Sequence, residues 1–90
     1  MRKFKTTRQF DRDFGRMIRA GKEKEKLIEI MRKLISEEPL EAKHRDHKLR
    51  GKFAARKECH IEPNWLLIYK IDDDSVISER TGTHSDLFRS

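Results

Sequence analysis

A chain of 90 residues with a net charge of +6 has room for one small domain, which excludes an enzyme built from separate cofactor and substrate domains. Charged residues make up 42% of the chain and hydrophobic residues 34%, yet the apolar residues recur at regular spacings and therefore indicate a fold rather than disorder. The single cysteine excludes an internal disulfide, and the longest apolar run, Trp65–Tyr69, is too short to cross a bilayer.

The N-terminal half predicts a short edge strand at residues 2–6 followed by two helices, the first with Thr7 as its N-cap. Each helix carries an apolar stripe at helical spacing, made of Phe10, Phe14, Met17 and Ile18 in the first helix and of Leu27, Ile30, Met31, Leu34 and Ile35 in the second. Gly21 lies where a helix C-terminal cap is expected, and the residue before Pro39 avoids the helical conformation. We therefore expect an antiparallel helical hairpin.

The C-terminal half predicts strands. Residues 40–52 are polar and predict a loop, after which residues 53–61, 65–71 and 76–81 have the β-branched and aromatic composition of strands, and residues 85–88 form one helical turn. Pro63-Asn64 and the polar residues 72–75 are turn signals. The order β-α-α-β-β-β predicts an α+β fold over residues 1–90, with the helical hairpin packed on a small antiparallel sheet.

Basic residues are concentrated in two zones. Residues 1–26 hold ten lysines and arginines against four acids, and residues 43–57 hold seven against Asp46 alone. Such surfaces suit a phosphate backbone or an acidic protein partner, and the candidate phosphate contacts in the central zone are Lys48, Arg50, Lys52 and Arg56. Met1–Thr7 is basic and precedes no apolar stretch, so we expect a cytoplasmic protein without a secretory signal or a membrane segment.

Histidines supply the candidate acid–base groups. Because imidazole titrates near neutral pH, one histidine can remove a proton while another supplies one. RNA offers a matching reaction, in which the 2′-hydroxyl attacks the adjacent phosphodiester and the leaving 5′-oxygen is protonated. Arg80 precedes Thr81-Gly82-Thr83-His84 and is the candidate cation for the phosphoryl oxygens. We expect His47, His60, Arg80 and His84 to converge on one concave, basic surface.

A metal site is the competing interpretation for part of the histidine set. His44 and His47 stand at i and i+3, a spacing that could hold a metal ion if the segment were helical. Glu41 and Asp46 are the only acids in this loop, so it lacks the carboxylate cluster that would strengthen such a site. The sequence therefore favours chemistry without a metal or a cofactor.

Cys59 and the aromatic residues also allow two interpretations. Cys59 could be a nucleophile beside His60, but adjacent strand residues point to opposite faces, which favours a small buried residue. Trp65 and Phe88 could stack on RNA bases, as single-stranded RNA recognition usually requires, or could pack in the core.

Three segments together carry a family resemblance: DHKLRG at residues 46–51, CHIEPNWLLIYK at 59–70 and ERTGTHSDLF at 79–88. In this order and spacing they resemble the YafQ branch of the RelE/ParE toxin superfamily. The resemblance extends over essentially the whole chain, because the helical hairpin also fits. It implies a RelE-like fold and a toxin of a type II toxin–antitoxin system that cuts mRNA in the decoding site of the ribosome without a metal.

The resemblance also implies roles for individual residues. By motif match, the positions used for catalysis or RNA contact are His47, His60, Trp65, Arg80, His84 and Phe88. His84 matches the histidine most often assigned general acid–base work, with His47 and His60 in support. Asn64 is a departure, because the YafQ pattern often has an aspartate there, and an asparagine cannot take a proton at neutral pH.

The resemblance implies a protein partner as well. This partner is an antitoxin whose acidic or amphipathic segment wraps the toxin, while its other part binds operator DNA, so DNA contact is indirect and the complex could repress its own operon. The alternative function is that of a ParE-like toxin, which inhibits DNA gyrase by binding and performs no chemistry. The fold hosts both functions, whereas the histidines and Arg80 favour the enzyme.

Overall fold

The computed structural model describes residues 1–51 and 55–88. The elements along the chain are β1 (Lys3–Thr6), α1 (Arg8–Arg19), α2 (Lys24–Ile35), a 3₁₀ turn (Ala42–His44), β2 (His47–Lys48), β3 (Lys57–Glu62), β4 (Trp65–Asp72), β5 (Ser75–Gly82) and α3 (His84–Phe88). This order confirms the predicted α+β class. It adds β2 in a segment predicted as a loop, and β3 begins at Lys57, later than predicted. No helix in the described part of the chain is long and apolar enough to cross a membrane.

Within residues 1–51 and 55–88, the strands form one mixed sheet in the order β1-β5-β4-β3-β2. The strands from β2 to β5 pair antiparallel, but β1 runs parallel to β5, with Lys3 opposite Ser75 and Thr6 opposite Ser78. The predicted antiparallel sheet is therefore wrong at this edge. The reason is that β1 pairs with the last strand, and a parallel partner lies at the end of a long crossover that leaves no local pattern.

The start and the end of α1 agree with the sequence. The Thr7 side chain accepts a hydrogen bond from the Phe10 N–H at 3.0 Å, as an N-cap does, and Gly21 has a φ of +95°, as expected one residue past the cap. The predicted stripe is partly wrong, because Ile18 is exposed and Asp13 is buried between Phe10 and Met17. The stripe of α2 holds, with Leu27, Ile30, Met31 and Leu34 buried.

The sheet has a hydrophobic cluster on each face. The larger cluster joins both helices to alternate residues of β4, among them Trp65, Leu67 and Tyr69. The smaller cluster consists of Leu66, Ile68 and Leu87, with Leu49 packed against it. Because α3 contributes Leu87, this short helix covers part of the face opposite α1 and α2. The rest of that face carries side chains from β2, β3 and the start of α3.

Candidate active site

The rings of His47, His60 and His84 come together on the sheet face opposite α1 and α2, and we call them the histidine cluster. The ring centroids of His47 and His60 are 6.5 Å apart, and those of His60 and His84 are 5.5 Å apart. Strand alternation explains the placement of His60, because its neighbours Cys59 and Ile61 belong to the helix-side core. Tertiary folding thus unites histidines from β2, β3 and α3.

Glu58 is the buried carboxylate of the histidine cluster, and the sequence interpretation missed it. Its side chain is almost completely buried. Its Oε1 lies 3.0 Å from Nε2 of His60 and 3.6 Å from Nε2 of His47. The only signal in the sequence was its spacing, since residues i and i+2 of a strand share a face. Glu58 can therefore balance the charge of whichever of these two imidazoles is protonated.

Asn64 holds His84 in one orientation. Its Oδ1 accepts hydrogen bonds from the backbone N–H of His84 at 3.0 Å and from the ring Nδ1 at 2.7 Å. A backbone N–H can only donate, so the amide oxygen, and not the amide nitrogen, faces His84. The ring Nδ1 then carries the proton, which leaves a lone pair on Nε2. The asparagine thus fixes the tautomer of the neutral His84 ring without adding a charge.

A tight turn sets the position of His84. The Thr83 N–H donates to Asp86 Oδ2 at 3.0 Å, and the Asp86 N–H donates to Thr83 Oγ1 at 3.1 Å, which is a reciprocal cap at the start of α3. At Gly82 a side chain would bring a Cβ within 2.9 Å of the Asp86 Cβ. Glycine is therefore required by this close approach, and the cap fixes His84 as the first residue of α3.

Arg80 lies on the sheet face of the histidine cluster, but its guanidinium binds a side chain of α1. It lies in one cross-strand row with Glu58 and Ile68, which places it on the face of the histidine cluster. Its Nε donates to Oδ2 of the buried Asp13 at 2.7 Å, and its Nη2 lies 3.4 Å from Oδ1. Its side chain stays 28% exposed. Part of the guanidinium is thus bound to α1, while the side chain as a whole keeps some exposure to solvent.

The two candidate stacking residues have opposite environments. Trp65 is completely buried in the helix-side core, where its Nε1 donates to Thr81 Oγ1 at 2.9 Å. A ring without exposed surface cannot stack on a base in this conformation, so the proposed RNA contact at Trp65 is corrected to core packing. Phe88 is 41% exposed at the end of α3.

The basic candidates divide in a similar way. Lys48, which follows His47 in β2, and Arg50 are both exposed. Arg56 is half-buried and forms a hydrogen-bonded ion pair with Glu79, which extends from β5. Lys52 lies outside the described residues. Exposed cations are therefore available on the β2 side, whereas Arg56 is already partly neutralised by a carboxylate.

His44 and Cys59 have structural roles. His44 Nδ1 lies 2.6 Å from the backbone oxygen of His60, so it anchors the 3₁₀ turn to β3 instead of joining His47. In the described part of the chain, no group of three or more His, Cys, Asp or Glu side chains is arranged to hold a metal ion. Cys59 is completely buried, and burial raises the pKa of its thiol, which disfavours the nucleophilic thiolate.

The fold and the site define a class: a small α+β protein with a helical pair on one sheet face and a histidine-lined surface on the other. The family model described as "Bacterial toxin of type II toxin-antitoxin system, YafQ" matches residues 2–89. The mRNA interferase toxin YafQ of Escherichia coli K12 is 40% identical over 81 residues, which are 89% of this chain and 88% of the relative. The chain therefore belongs to the YafQ family of type II toxin–antitoxin toxins, which confirms the resemblance of its motifs.

Solved structures agree with this assignment. A copper-bound mutant toxin from Helicobacter pylori superposes with a TM-score of 0.93 at 38% identity, covering 98% of this chain and 100% of its own. YafQ from E. coli BL21(DE3) gives 0.92 at 36% identity, covering 98% and 99%. The E. coli DinJ-YafQ complex gives 0.90 at 37% identity, again covering 98% and 99%.

Proposed function

We propose that this chain is an mRNA interferase, an endoribonuclease that cleaves mRNA on the ribosome and thereby inhibits translation. The single observation that carries the proposal is the histidine cluster, in which His84 and His60 have different hydrogen-bond partners. A protein that acts by binding alone has no need of such a pair. The E. coli relative is named an mRNA interferase toxin, which supports the same activity.

His84 is the general base of the proposed reaction. Its Nδ1 donates to Asn64, so its Nε2 lone pair can take the proton of a ribose 2′-hydroxyl. The 2′-oxygen then forms a bond to phosphorus as the bond from phosphorus to the 5′-oxygen breaks. The products are a 2′,3′-cyclic phosphate and a 5′-hydroxyl, so the step needs no water and no metal ion.

His60 and His47 serve the leaving group and the phosphate. Both imidazoles face Glu58, whose carboxylate compensates the positive charge of a protonated ring. A protonated imidazole of this pair donates a proton to the leaving 5′-oxygen, while the other offsets charge on the phosphoryl oxygens. Glu58 thus joins the histidines as part of the proposed catalytic machinery.

The remaining candidates bind the RNA. Arg80 contacts the scissile phosphate with the N–H groups that Asp13 leaves free. Phe88 stacks on a base, and Lys48 and Arg50 contact neighbouring phosphates, because all three are exposed. The proposed RNA contacts also include Arg56, Lys52 and Asn64. Arg56 would contact RNA in addition to its ion pair with Glu79.

The proposed protein partner is an antitoxin that binds this chain and contacts operator DNA with its other part. The E. coli relative has been solved in complex with DinJ. The matched chain of that complex superposes on 98% of the present chain. The net charge of +6 suits an acidic segment of such a partner. Covering the histidine cluster or the basic helices would neutralise the toxin.

The test compares His84→Ala with Ser85→Ala, a control at the next exposed position of α3. Primer extension on mRNA from programmed ribosomes measures cleavage, and circular dichroism checks the fold. We expect His84→Ala to lower the cleavage rate about 10²–10⁴-fold, since it removes the base, and Ser85→Ala to cleave normally. Wild-type cleavage by His84→Ala contradicts the mechanism. Growth arrest with damaged DNA and no RNA cleavage supports the gyrase inhibitor instead.

A further inference from the structure

Asp13 is an acidic residue in an apolar position. It lies on the buried face of α1 between Phe10 and Met17, and its side chain is completely inaccessible to solvent. Burial of a carboxylate is costly unless it is paired, and well-packed apolar residues are often at least as stable in such places. Stability alone therefore does not explain an aspartate at this position.

The partners of Asp13 come mainly from the end of β5. Oδ2 accepts from Arg80 Nε at 2.7 Å and from the Thr81 backbone N–H at 3.2 Å, while Oδ1 lies 3.4 Å from Arg80 Nη2. On its own α1, Gln9 donates to Oδ1 at 3.0 Å and Arg16 Nη2 donates to the same oxygen at 3.3 Å. Burial by itself raises the pKa of the Asp13 carboxyl, but these hydrogen bonds hold it below its usual value. The group is therefore a carboxylate at neutral pH.

Beyond the end of β1, side-chain contacts replace β1 as the partner of the β5 backbone. The pairing of β1 with β5 stops at Ser78, and Thr7 Oγ1 then donates to the Glu79 backbone oxygen at 2.8 Å. Two residues further along β5, Asp13 accepts a hydrogen bond from the Thr81 N–H. Thr7, the N-cap of α1, and Asp13 thus bind β5 on either side of Arg80, immediately before the turn that leads to His84.

We infer that Asp13 is a positioning residue, which holds Arg80 side-on so that its remaining N–H groups face the scissile phosphate. This inference rests on the proposed role of Arg80 in binding that phosphate. A side chain with several rotatable bonds loses less freedom on binding RNA if a carboxylate has already fixed its plane. The Arg80 side chain is 28% exposed, so RNA can still reach it while it is bound to Asp13.

A double-mutant cycle tests this inference. Cleavage is measured for Asp13→Asn, Arg80→Ala and the double variant, at a temperature where circular dichroism shows all three folded. We expect each single substitution to lower kcat/KM about ten- to a hundredfold, since a misplaced charge-stabilising group costs that much, and the double variant to match Arg80→Ala. Gln9→Ala removes another hydrogen bond from the same carboxylate and is the control, with near wild-type cleavage expected.

The outcomes separate the two proposals. Losses that multiply in the double variant overturn the positioning role, because Asp13 then acts independently of Arg80. Wild-type cleavage by Arg80→Ala overturns the proposed phosphate contact of Arg80 itself, and with it the inference.

A measurement on the unmodified protein covers the case in which Asp13→Asn does not fold. In ¹⁵N NMR spectra at neutral pH, the Nε–H proton of Arg80 should exchange with water far more slowly than that of the exposed Arg50. Equal exchange at both arginines shows that Asp13 does not hold the guanidinium, and this overturns the inference.

Discussion

At the scale of single residues, Asn64 decides which nitrogen of His84 is free. Its amide oxygen accepts from both the backbone and the ring of His84, so the neutral ring points its lone pair away from the turn. An aspartate, which the family pattern often has at this position, would offer the same acceptor with a negative charge. The difference between the two residues is therefore electrostatic rather than geometric.

Asn64→Asp tests that difference. A carboxylate keeps the hydrogen bonds to His84 and also stabilises the imidazolium that forms when the ring takes a proton. We expect cleavage to be unchanged or faster, measured as the pH dependence of the rate on programmed ribosomes. As the pH is lowered, the cleavage rate of this variant should begin to fall at a higher pH than that of the unmodified protein. The reason is that a carboxylate favours the protonated imidazole, which cannot act as a base. Asn64→Ala is the control, because it removes the acceptor and should slow cleavage.

At the scale of elements, Glu62 joins the end of β3 to the helical pair. Its Oε1 is 2.8 Å from Lys22 Nζ in the connection between α1 and α2, and its Oε2 is 2.7 Å from Lys26 Nζ in α2. Hydrogen bonds from Lys22 and Lys26 lower the pKa of the Glu62 carboxyl. This is one of the polar contacts through which β3, and with it His60, is held against the helices.

Glu62→Gln should reduce the free energy of unfolding by about 0.5–1 kcal/mol at pH 7, a modest amount because both lysines are partly exposed. The folded-state pKa is lowered, so the stabilisation is complete above the unfolded-state pKa of about 4.3 and is lost as pH falls through the folded value. Urea unfolding at pH 7 and near pH 3 measures both. Glu25→Gln on the exposed face of α2 is the control. A difference that persists unchanged in acid contradicts this assignment.

At the scale of the whole molecule, the net positive charge is unevenly distributed along the chain. Residues 1–26 carry an excess of six basic residues, ten against four, whereas the remainder of the chain balances at twelve against twelve. The surplus therefore belongs to the edge strand β1, to α1 and to the start of α2, and both helices lie on the far side of the sheet from the histidine cluster. An acidic partner is attracted to the toxin as a whole before it contacts any particular group.

This charge predicts salt-dependent binding of the antitoxin. The association rate should fall as ionic strength rises, because the Debye length shrinks from about 10 Å at 0.1 M to about 3 Å at 1 M. The dissociation rate should change less, since short-range contacts control it. Stopped-flow or biosensor kinetics at several salt concentrations measure both rates. An association rate that is indifferent to salt contradicts the electrostatic contribution, although not the partnership itself.

Local patterns were sufficient for most elements of this protein. Thr7 and Gly21 predicted the ends of α1 because capping depends on neighbouring residues only. The apolar run of β4 predicted a central strand, because a strand buried on both faces needs apolar residues at every position. Motif spacing likewise indicated the family and the three histidines that the structure brings together.

Only the tertiary structure decided the partners of the polar and aromatic groups. Asp13 reads as a solvated helix residue until Arg80, 67 positions later, supplies the hydrogen bonds that make its burial possible. Trp65 reads equally as a stacking or a core residue until Thr81 accepts its N–H. The parallel pairing of β1 with β5 has the same origin. Helical and strand periodicity depends on adjacent residues, whereas the environment of a charge or a ring depends on which distant segment folds against it.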